Sequence, residues 1–466
     1  MDGNGIRCLK IIEVCKISPS PEEDLAAPNS LPLTFFDLLR LKHQPIQQLF
    51  FYQLPSSDTH VSFLDAILPN LKTSLSLALR RYLPLVGNLL WPQHSAVPTV
   101  EFVEGDGVLL TVAESDADFH HLSGSGFREV TEYHPLVSEL SMSHDRVAVM
   151  ALQATAFRNR GFCIGITIHH AVTDGRTSAS FVKSWTRICN DILHAVRESS
   201  IPTATELIPF YDSSVIKDPT GLTEIYANEW LNNEGPNNRS LSIKLPKTSP
   251  TLIRCTLELT PQNIHKLKQW LLKQQREMNQ HISSFVAATA YLCVCTAKTE
   301  GLKDGKLILV FPADVRTRLK PPIPSNYFGN CLVPRYPLME RSEVLSENGV
   351  AVAGEAISEA IKSLEGGGLE EAQYWASALA SSSNGDSAWP KGLIVIGGSP
   401  KHGVYSADFG WGKPTKVEMV SADQLAAMIS LTESGNGDGG IEIGLVKEKD
   451  EMESFIALFA QGLESL

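Results

Sequence analysis

Residues 162–175 read Phe-Cys-Ile-Gly-Ile-Thr-Ile-His-His-Ala-Val-Thr-Asp-Gly, an apolar run that ends in two histidines, an aspartate and a glycine. The apolar run predicts a buried strand, and the residues after it predict a turn into a helix. Because side chains alternate along a strand, His169 and His170 point to opposite faces unless the strand ends before them. At most one histidine is therefore expected to face a given channel.

The segments on either side extend this pattern. Residues 147–157 form a second apolar run, and the intervening Arg-Asn-Arg-Gly at 158–161 predicts a hairpin. After the turn, apolar residues at helical spacing share one face of a helix, and Asp174 is well placed as its N-cap. These apolar residues are Phe181, Trp185, Ile188 and Ile192.

A histidine at the end of a rigid strand suits general-base chemistry, because the strand aims the imidazole and the neutral form is available near pH 7. Asp174 could orient that imidazole, or it could pair with an arginine and lock the turn. The second role is favoured, because Asp174 stands where a helix cap is needed. With 13 histidines in the chain, a single H-x-x-x-D is a weak signal, and a structural histidine bonded to a carbonyl is the alternative.

Composition limits the classes of function. The 466 residues carry 40 Lys and Arg against 52 Asp and Glu, a formal net charge of −12 that disfavours general binding to nucleic acid or anionic membranes. A polyanionic ligand would need a local basic cluster. No run of 18 apolar residues predicts a membrane span, and residues 1–24 carry charges and prolines where a signal peptide needs an apolar core.

Eight scattered cysteines lie in apolar runs without metal-ligand spacing. They predict buried thiols in a reducing compartment, and the cytoplasm fits best.

Strand and helix signals alternate irregularly, which predicts two mixed α/β domains rather than a doubly wound sheet. Proline and polar residues between 190 and 250 predict a long crossover. We expect an N-terminal domain at 1–195, completed by about 372–400, a linker at 196–225 and a C-terminal domain at 226–466. Within the second domain, residues 285–295 are apolar nearly all round and predict a core helix.

Three further strings accompany the histidine motif. Asp408, Phe409, Gly410, Trp411 and Gly412 spell DFGWG, Tyr327–Cys331 spell YFGNC after Asp314-Val315-Arg316, and residues 31–37 spell LPLTFFD. Each alone would predict a tight glycine turn or an aromatic plug. In this order, together with H-x-x-x-D, they resemble the plant BAHD acyl-CoA-dependent acyltransferases from about Lys10 to the last helix. YFGNC further resembles the branch that acylates sugars of anthocyanins and phenolic glycosides.

This resemblance implies two similar-sized, chloramphenicol-acetyltransferase-like domains with a channel between them. It implies that His170 is the general base in mid-channel, and that Asp174 points away and pairs with Arg316. It assigns DFGWG a structural role. It also implies acyl-CoA as cosubstrate, no metal, no permanently bound cofactor and a monomeric state.

Binding of CoA phosphates calls for local donors. Candidates are Arg254 and the helix start at Ser283 and Ser284, whose free N–H groups suit an anion. Lys266 and Lys268 are weaker candidates, because both could simply lie on a solvated helix face.

Arg176, beside the catalytic turn, could receive the carboxylate of malonyl-CoA as a bidentate pair. Alternatively it caps the helix or faces solvent.

We therefore expect an O-acyltransferase that moves malonyl from malonyl-CoA onto a sugar hydroxyl, the glucose 6-hydroxyl, of a flavonoid, anthocyanin or other phenolic glucoside. The first alternative is a hydroxycinnamoyl transferase acting on the same kind of glycoside. The second is a non-catalytic relative that binds small molecules, although such a protein has no use for a base in a channel.

Overall fold

The computed structural model describes residues 9–21, 27–54, 63–158, 160–194, 207–244, 249–274, 282–382, 390–424 and 427–465. The strands of these residues are, in chain order, β1 (Leu9–Ile17), β2 (Ser30–Pro32), β3 (Ile46–Gln53), β4 (Asn88–Leu90), β5 (Thr99–Glu101), β6 (Val108–Ser115), β7 (Arg128–Glu129), β8 (Arg146–Ala148), β9 (Met150–Phe157), β10 (Gly161–Ile168), β11 (Leu252–Leu259), β12 (Lys306–Asp314), β13 (Leu332–Arg335), β14 (Leu338–Glu340), β15 (Leu393–Gly398), β16 (Lys416–Met419), β17 (Met428–Glu433) and β18 (Ile441–Glu448). The α-helices are α1 (Phe35–Leu38), α2 (Leu68–Arg81), α3 (Leu83–Val86), α4 (Phe119–Leu122), α5 (Gly175–Leu193), α6 (Leu222–Asn232), α7 (Pro261–Gln274), α8 (Ser284–Glu300), α9 (Arg341–Val344), α10 (Gly349–Lys362), α11 (Trp375–Ser382) and α12 (Lys449–Glu464).

Two large mixed sheets organise the chain. The first has the strand order β1-β6-β9-β10-β3-β16, and the second has the order β13-β12-β15-β17-β18-β11-β7, with β14 paired to β12. Both contain parallel and antiparallel pairs: β6 runs parallel to β9, and β15 runs parallel to both β12 and β17. A smaller sheet, β2-β5-β4-β8, completes the fold. This confirms the predicted mixed α/β class.

The central hairpin forms as the sequence indicates. Strands β9 and β10 pair antiparallel from Gly161 opposite Phe157 to Ile168 opposite Met150, and all their residues are buried. The pairing ends at Ile168, so strand alternation does not extend to the two histidines. Helix α5 then starts at Gly175, and the Asp174 side chain accepts a hydrogen bond from the N–H of Thr177, as an N-cap does.

Two hydrophobic cores flank the sheets. The first packs α2 and α5 on the β9–β10 hairpin, with Leu75 and Trp185 fully enclosed. The second surrounds α8, whose residues are buried continuously from Val286 to Ala297, which confirms the predicted core helix.

Six of the seven cysteines in the described residues are buried, and all seven are free thiols. Within these ranges, no helix combines the length and apolar character that a membrane crossing requires.

The chain divides between the two cores differently from the predicted domain bounds. Helix α6, at 222–232, packs in the first core through Tyr226 and Trp230, so the second unit begins nearer β11 than residue 226. Residues 372–380 do join the first core, but β15 at 393–398 lies in the second sheet. Part of the predicted linker, residues 196–206, lies outside the described residues.

Each sheet also receives a strand from the opposite half of the chain. Strand β16 pairs with β3 in the first sheet, and β7 pairs with β11 in the second. Glu418 of β16 joins these exchanged strands, because it accepts from Arg254 Nη1 at 2.6 Å and from Arg128 Nη2 at 3.3 Å. Burial raises the pKa of Glu418, but Lys416, Arg254 and Arg128 outweigh it and lower the pKa to about 2.

Replacing Glu418 with Gln is expected to destabilise the fold, because two buried guanidinium groups lose their shared carboxylate. Breaking a buried ion pair from one side costs about 3–5 kcal/mol, which urea unfolding followed by tryptophan fluorescence would measure. Because the pKa of Glu418 is depressed when folded, its contribution is present above its ordinary value of 4.5 and is lost as the pH falls towards 2. An unchanged unfolding midpoint at pH 7 would show that Glu418 does not hold the two sheets together.

Candidate active site

A cavity of about 2700 Å³ lies between the two cores and is lined by residues from both. His170 is part of its wall, together with the 39–48 segment of the first half and the β12 and β15 strands of the second. The predicted channel between two α/β units is therefore present, and His170 faces it.

The two histidines after β10 have different surroundings. His169 is fully buried, and its Nδ1 accepts a hydrogen bond from the N–H of Ala171 at 3.2 Å. His170 is only partly buried and faces the cavity. His170 is therefore the histidine of this pair that lines the described cavity, whereas His169 is enclosed and its ring accepts from a backbone N–H rather than bonding to a carbonyl.

The surroundings of His170 favour its neutral form. Burial and the nearby charge of Arg40 lower its pKa to about 4, although backbone groups of His170 and Thr173 and the carboxylate of Asp174 act in the opposite direction. The ring of His43 stands at 70° to that of His170, with 5.8 Å between the centroids. A neutral imidazole in a partly enclosed cavity can accept a proton near pH 7.

Asp174 locks the turn that carries His170. Its Oδ2 lies 2.7 Å from Nη1 of Arg316, and both side chains are buried. Its other hydrogen bonds among the described residues come from the N–H groups of Thr177 and Cys331, not from His170. Burial raises the pKa of Asp174, but the charge of Arg316 and the hydrogen bonds from Arg316 and Thr177 together outweigh it, so the net pKa is lowered and the carboxylate stays charged. The geometry thus fits the turn-locking role rather than imidazole orientation.

The YFGNC segment holds the other side of this turn. Nη2 of Arg316 donates to the carbonyl of Gly329 at 2.9 Å, while Asn330 Nδ2 donates to the carbonyl of His170 at 2.9 Å. Asp37, from the LPLTFFD string, accepts from both the backbone N–H and the Nδ2 of Asn330. The YFGNC and LPLTFFD strings therefore both hold the turn that carries His170. Sequence reasoning quoted Asp37 and Asn330 only as parts of motifs and missed their role.

His402 is a further cavity residue that the sequence did not single out. A Cβ on Gly175 would lie 2.5 Å from its Cε1, so only glycine fits at the start of α5 without displacing the ring. Burial lowers the pKa of His402 to about 4, so this second imidazole is neutral as well.

The DFGWG string lies against the first core. Phe409 packs edge-on against Trp185 with 4.8 Å between the ring centroids, and Trp411 packs edge-on against Phe162 with 6.3 Å between the ring centroids. Asp408 accepts from the N–H groups of Gly410 and Gly412, whose φ angles of +103° and +102° favour glycine. None of the five residues is among those that line the described cavity, so their contacts agree with the predicted structural role.

The structure places the residues predicted to bind the acyl donor in different surroundings. Ser283 and Ser284 line the cavity at the start of α8, where Ser283 caps the helix by accepting from the N–H of Val286 at 3.2 Å. Lys268 also lines the cavity, whereas Lys266 is not part of the described wall. Arg176 lines the cavity, but its Nε donates to Asp314 Oδ2 at 2.9 Å.

Arg254 does not fit its predicted role in phosphate binding. The side chain is completely buried away from the cavity wall, and its donors reach Glu418, Asp423 and the carbonyl of Met419. These two carboxylates raise its pKa against the effect of burial. A guanidinium already enclosed by two carboxylates has no donor free for a CoA phosphate.

Comparison with known proteins decides the family. The model of the Transferase family matches residues 9–460. The chain belongs to the BAHD transferase family. This BAHD chain is 40% identical to phenolic glucoside malonyltransferase 2 of Arabidopsis thaliana over 98% of its own length and 100% of that protein. It is 36% identical to malonyl-CoA:anthocyanidin 5-O-glucoside-6''-O-malonyltransferase of the same plant, with 98% of each chain covered.

The crystal structure of vinorine synthase resembles this BAHD chain with a TM-score of 0.70 at 18% identity, covering 97% of the chain and 98% of vinorine synthase. The similarity extends through both halves and confirms the predicted chloramphenicol-acetyltransferase-like fold.

Replacing Asp174 with Ala should lower the free energy of unfolding by about 3 kcal/mol, because Arg316 would remain buried without its main carboxylate. The matched variant is His170→Ala, which removes no ion pair and should change stability by about 1 kcal/mol or less. Urea unfolding of both variants measures the difference. Equal stability of the two would contradict a turn-locking role for Asp174.

Proposed function

We propose that this chain transfers the malonyl group of malonyl-CoA to a sugar hydroxyl, the 6-hydroxyl of glucose, on a flavonoid, anthocyanin or other phenolic glucoside. The observation that carries the proposal is the position of His170 in the wall of a large cavity between two cores. Relatives at 36% and 40% identity that are named malonyltransferases support the donor and the acceptor class.

In the proposed mechanism, His170 removes the proton of the acceptor hydroxyl as its oxygen attacks the thioester carbonyl. The C–O bond forms, the tetrahedral intermediate collapses and the C–S bond breaks. The imidazolium then returns the proton to the CoA thiolate, so the base is regenerated without a covalent acyl-enzyme. Such general-base help contributes roughly 10²–10⁴-fold to the rate.

Positioning supplies the remaining rate enhancement. Asn330 holds the carbonyl of His170, and the Asp174–Arg316 pair fixes the turn beyond it. The imidazole therefore has little freedom relative to the cavity. Ser283 and Ser284 stand at the start of α8 on the same cavity, where unpaired backbone N–H groups suit a CoA phosphate.

We also propose that the protein acts in the cytoplasm as a monomer. The free thiols of the described residues suit a reducing compartment. A single chain supplies both walls of the described cavity, which supports a site that needs no second subunit. The net charge of −12 supports small-molecule partners rather than nucleic acid.

Thiol release from malonyl-CoA, acetyl-CoA and p-coumaroyl-CoA, each offered with flavonoid glucosides and with their aglycones, tests the proposal. We expect release with malonyl-CoA and a glucoside, and a loss of roughly 10²–10⁴-fold in His170→Ala. His265→Ala, on the exposed face of α7, is the matched histidine control and should retain activity. Release with p-coumaroyl-CoA instead would favour the hydroxycinnamoyl transferase, and undiminished transfer by His170→Ala would refute the base.

The pH dependence of kcat/KM for malonyl-CoA follows from the lowered pKa of His170. Because the base is active when neutral, activity should stay nearly constant from about pH 7 to about pH 5.5 and decline as the pH approaches about 4. Initial rates in buffers of constant ionic strength measure this profile. An acid limb centred near the ordinary imidazole pKa of 6.5 would contradict the environment described here.

A further inference from the structure

Arg40 stands out among the charged groups of the cavity wall. It lies two residues after the end of α1. Its Nη1 donates to Nε2 of His43 at 2.9 Å, and its Nε is buried without a hydrogen-bond partner. Among the described residues, no carboxylate forms an ion pair with it. Burial lowers its pKa to about 10, and the more distant Asp174 raises it, so the guanidinium remains charged near neutral pH.

Two other arginines beside the histidine turn are compensated. Arg316 pairs with Asp174 at 2.7 Å, and Arg176 pairs with Asp314 at 2.9 Å. The side chain of Arg176 is also 46% exposed, so water competes for its remaining donors. Desolvating a cation without a counterion is costly, and a protein that maintains one in a cavity gains most when an anionic ligand enters.

Arg40 is also close to the reacting centre. It contacts His43, whose ring lies edge-on to the ring of His170 with 5.8 Å between the centroids. The positive charge of Arg40 also lowers the pKa of His170. Malonyl-CoA carries its free carboxylate on the carbon next to the thioester carbonyl. When that carbonyl lies at His170, the carboxylate must therefore lie within a short distance of the same imidazole.

We infer that Arg40 binds the free carboxylate of the malonyl group and selects malonyl-CoA over uncharged acyl donors. His43 holds Nη1 and the protein encloses Nε, so Nη2 is the donor left to meet the carboxylate with a charge-assisted hydrogen bond. Arg176, predicted from sequence for this role, keeps its pair with Asp314. The inference rests on the proposed malonyl transfer and names the residue that recognises the donor.

The test compares Arg40→Gln, Arg40→Lys and Arg176→Gln with the unmodified protein. Isothermal titration calorimetry gives the dissociation constants of malonyl-CoA and acetyl-CoA, which differ only in the carboxylate, and thiol release gives kcat/KM for each donor. In Arg40→Gln the preference for malonyl-CoA should fall roughly tenfold to a hundredfold, as expected for a lost hydrogen bond to a charged group. Arg40→Lys should restore part of it, and Arg176→Gln should change it by about twofold or less.

Two results would overturn the assignment. One is an unchanged preference in Arg40→Gln, including an equal loss for both donors, and the other is a malonyl-specific loss in Arg176→Gln alone. Binding is measured separately from turnover, so failure of malonyl transfer and failure of this assignment are distinguishable. Circular dichroism checks that each variant folds. If Arg40→Gln does not fold, an Arg40→Lys variant that keeps the full preference of the unmodified protein for malonyl-CoA would refute the role.

Discussion

The buried pair between Asp174 and Arg316 is the contact on which the site depends. Asp174 caps α5, which belongs to the first core, and Arg316 follows β12 of the second sheet, so the pair joins the two walls of the cavity at the histidine turn. Removing Arg316 leaves Asp174 buried without this counterion, and removing Asp174 leaves Arg316 with only the partly exposed Asp314, 3.3 Å away. The position of His170 is therefore tied to the same contact that sets the two halves against each other.

Around this pair, further hydrogen bonds refine the position of the base. Asp37 orients Asn330, and Asn330 holds the carbonyl of His170, so a short helix near the start of the chain reaches the catalytic turn through one amide side chain. Burial meanwhile keeps the imidazoles of His170 and His402 neutral. An acidic chain thus encloses a cavity in which the local electrostatics, rather than the net charge, decide the chemistry.

Local signals in the sequence predicted much of this arrangement. Two apolar runs with turn residues between them predicted the β9–β10 hairpin, cap chemistry predicted the start of α5, and continuous hydrophobicity predicted the buried helix α8. The exchange of β7 and β16 between sheets was not predictable in this way, because the short strands pair with partners more than a hundred residues away. The order of strands at a sheet edge depends on such partners and not on the strand itself.

The same dependence on distant partners explains why the sequence did not indicate which arginine binds an anion. Arg254, Arg176 and Arg40 are chemically identical in the sequence, but the fold surrounds them differently. Among the described residues, Arg254 pairs with two carboxylates, Arg176 pairs with one and Arg40 pairs with none. A guanidinium that already has its counterion contributes to stability, whereas one held in a cavity without a counterion is available to a substrate. Motif position pointed to Arg254 and Arg176 as anion-binding residues. The distribution of carboxylates around each guanidinium, which only the folded chain reveals, points instead to Arg40.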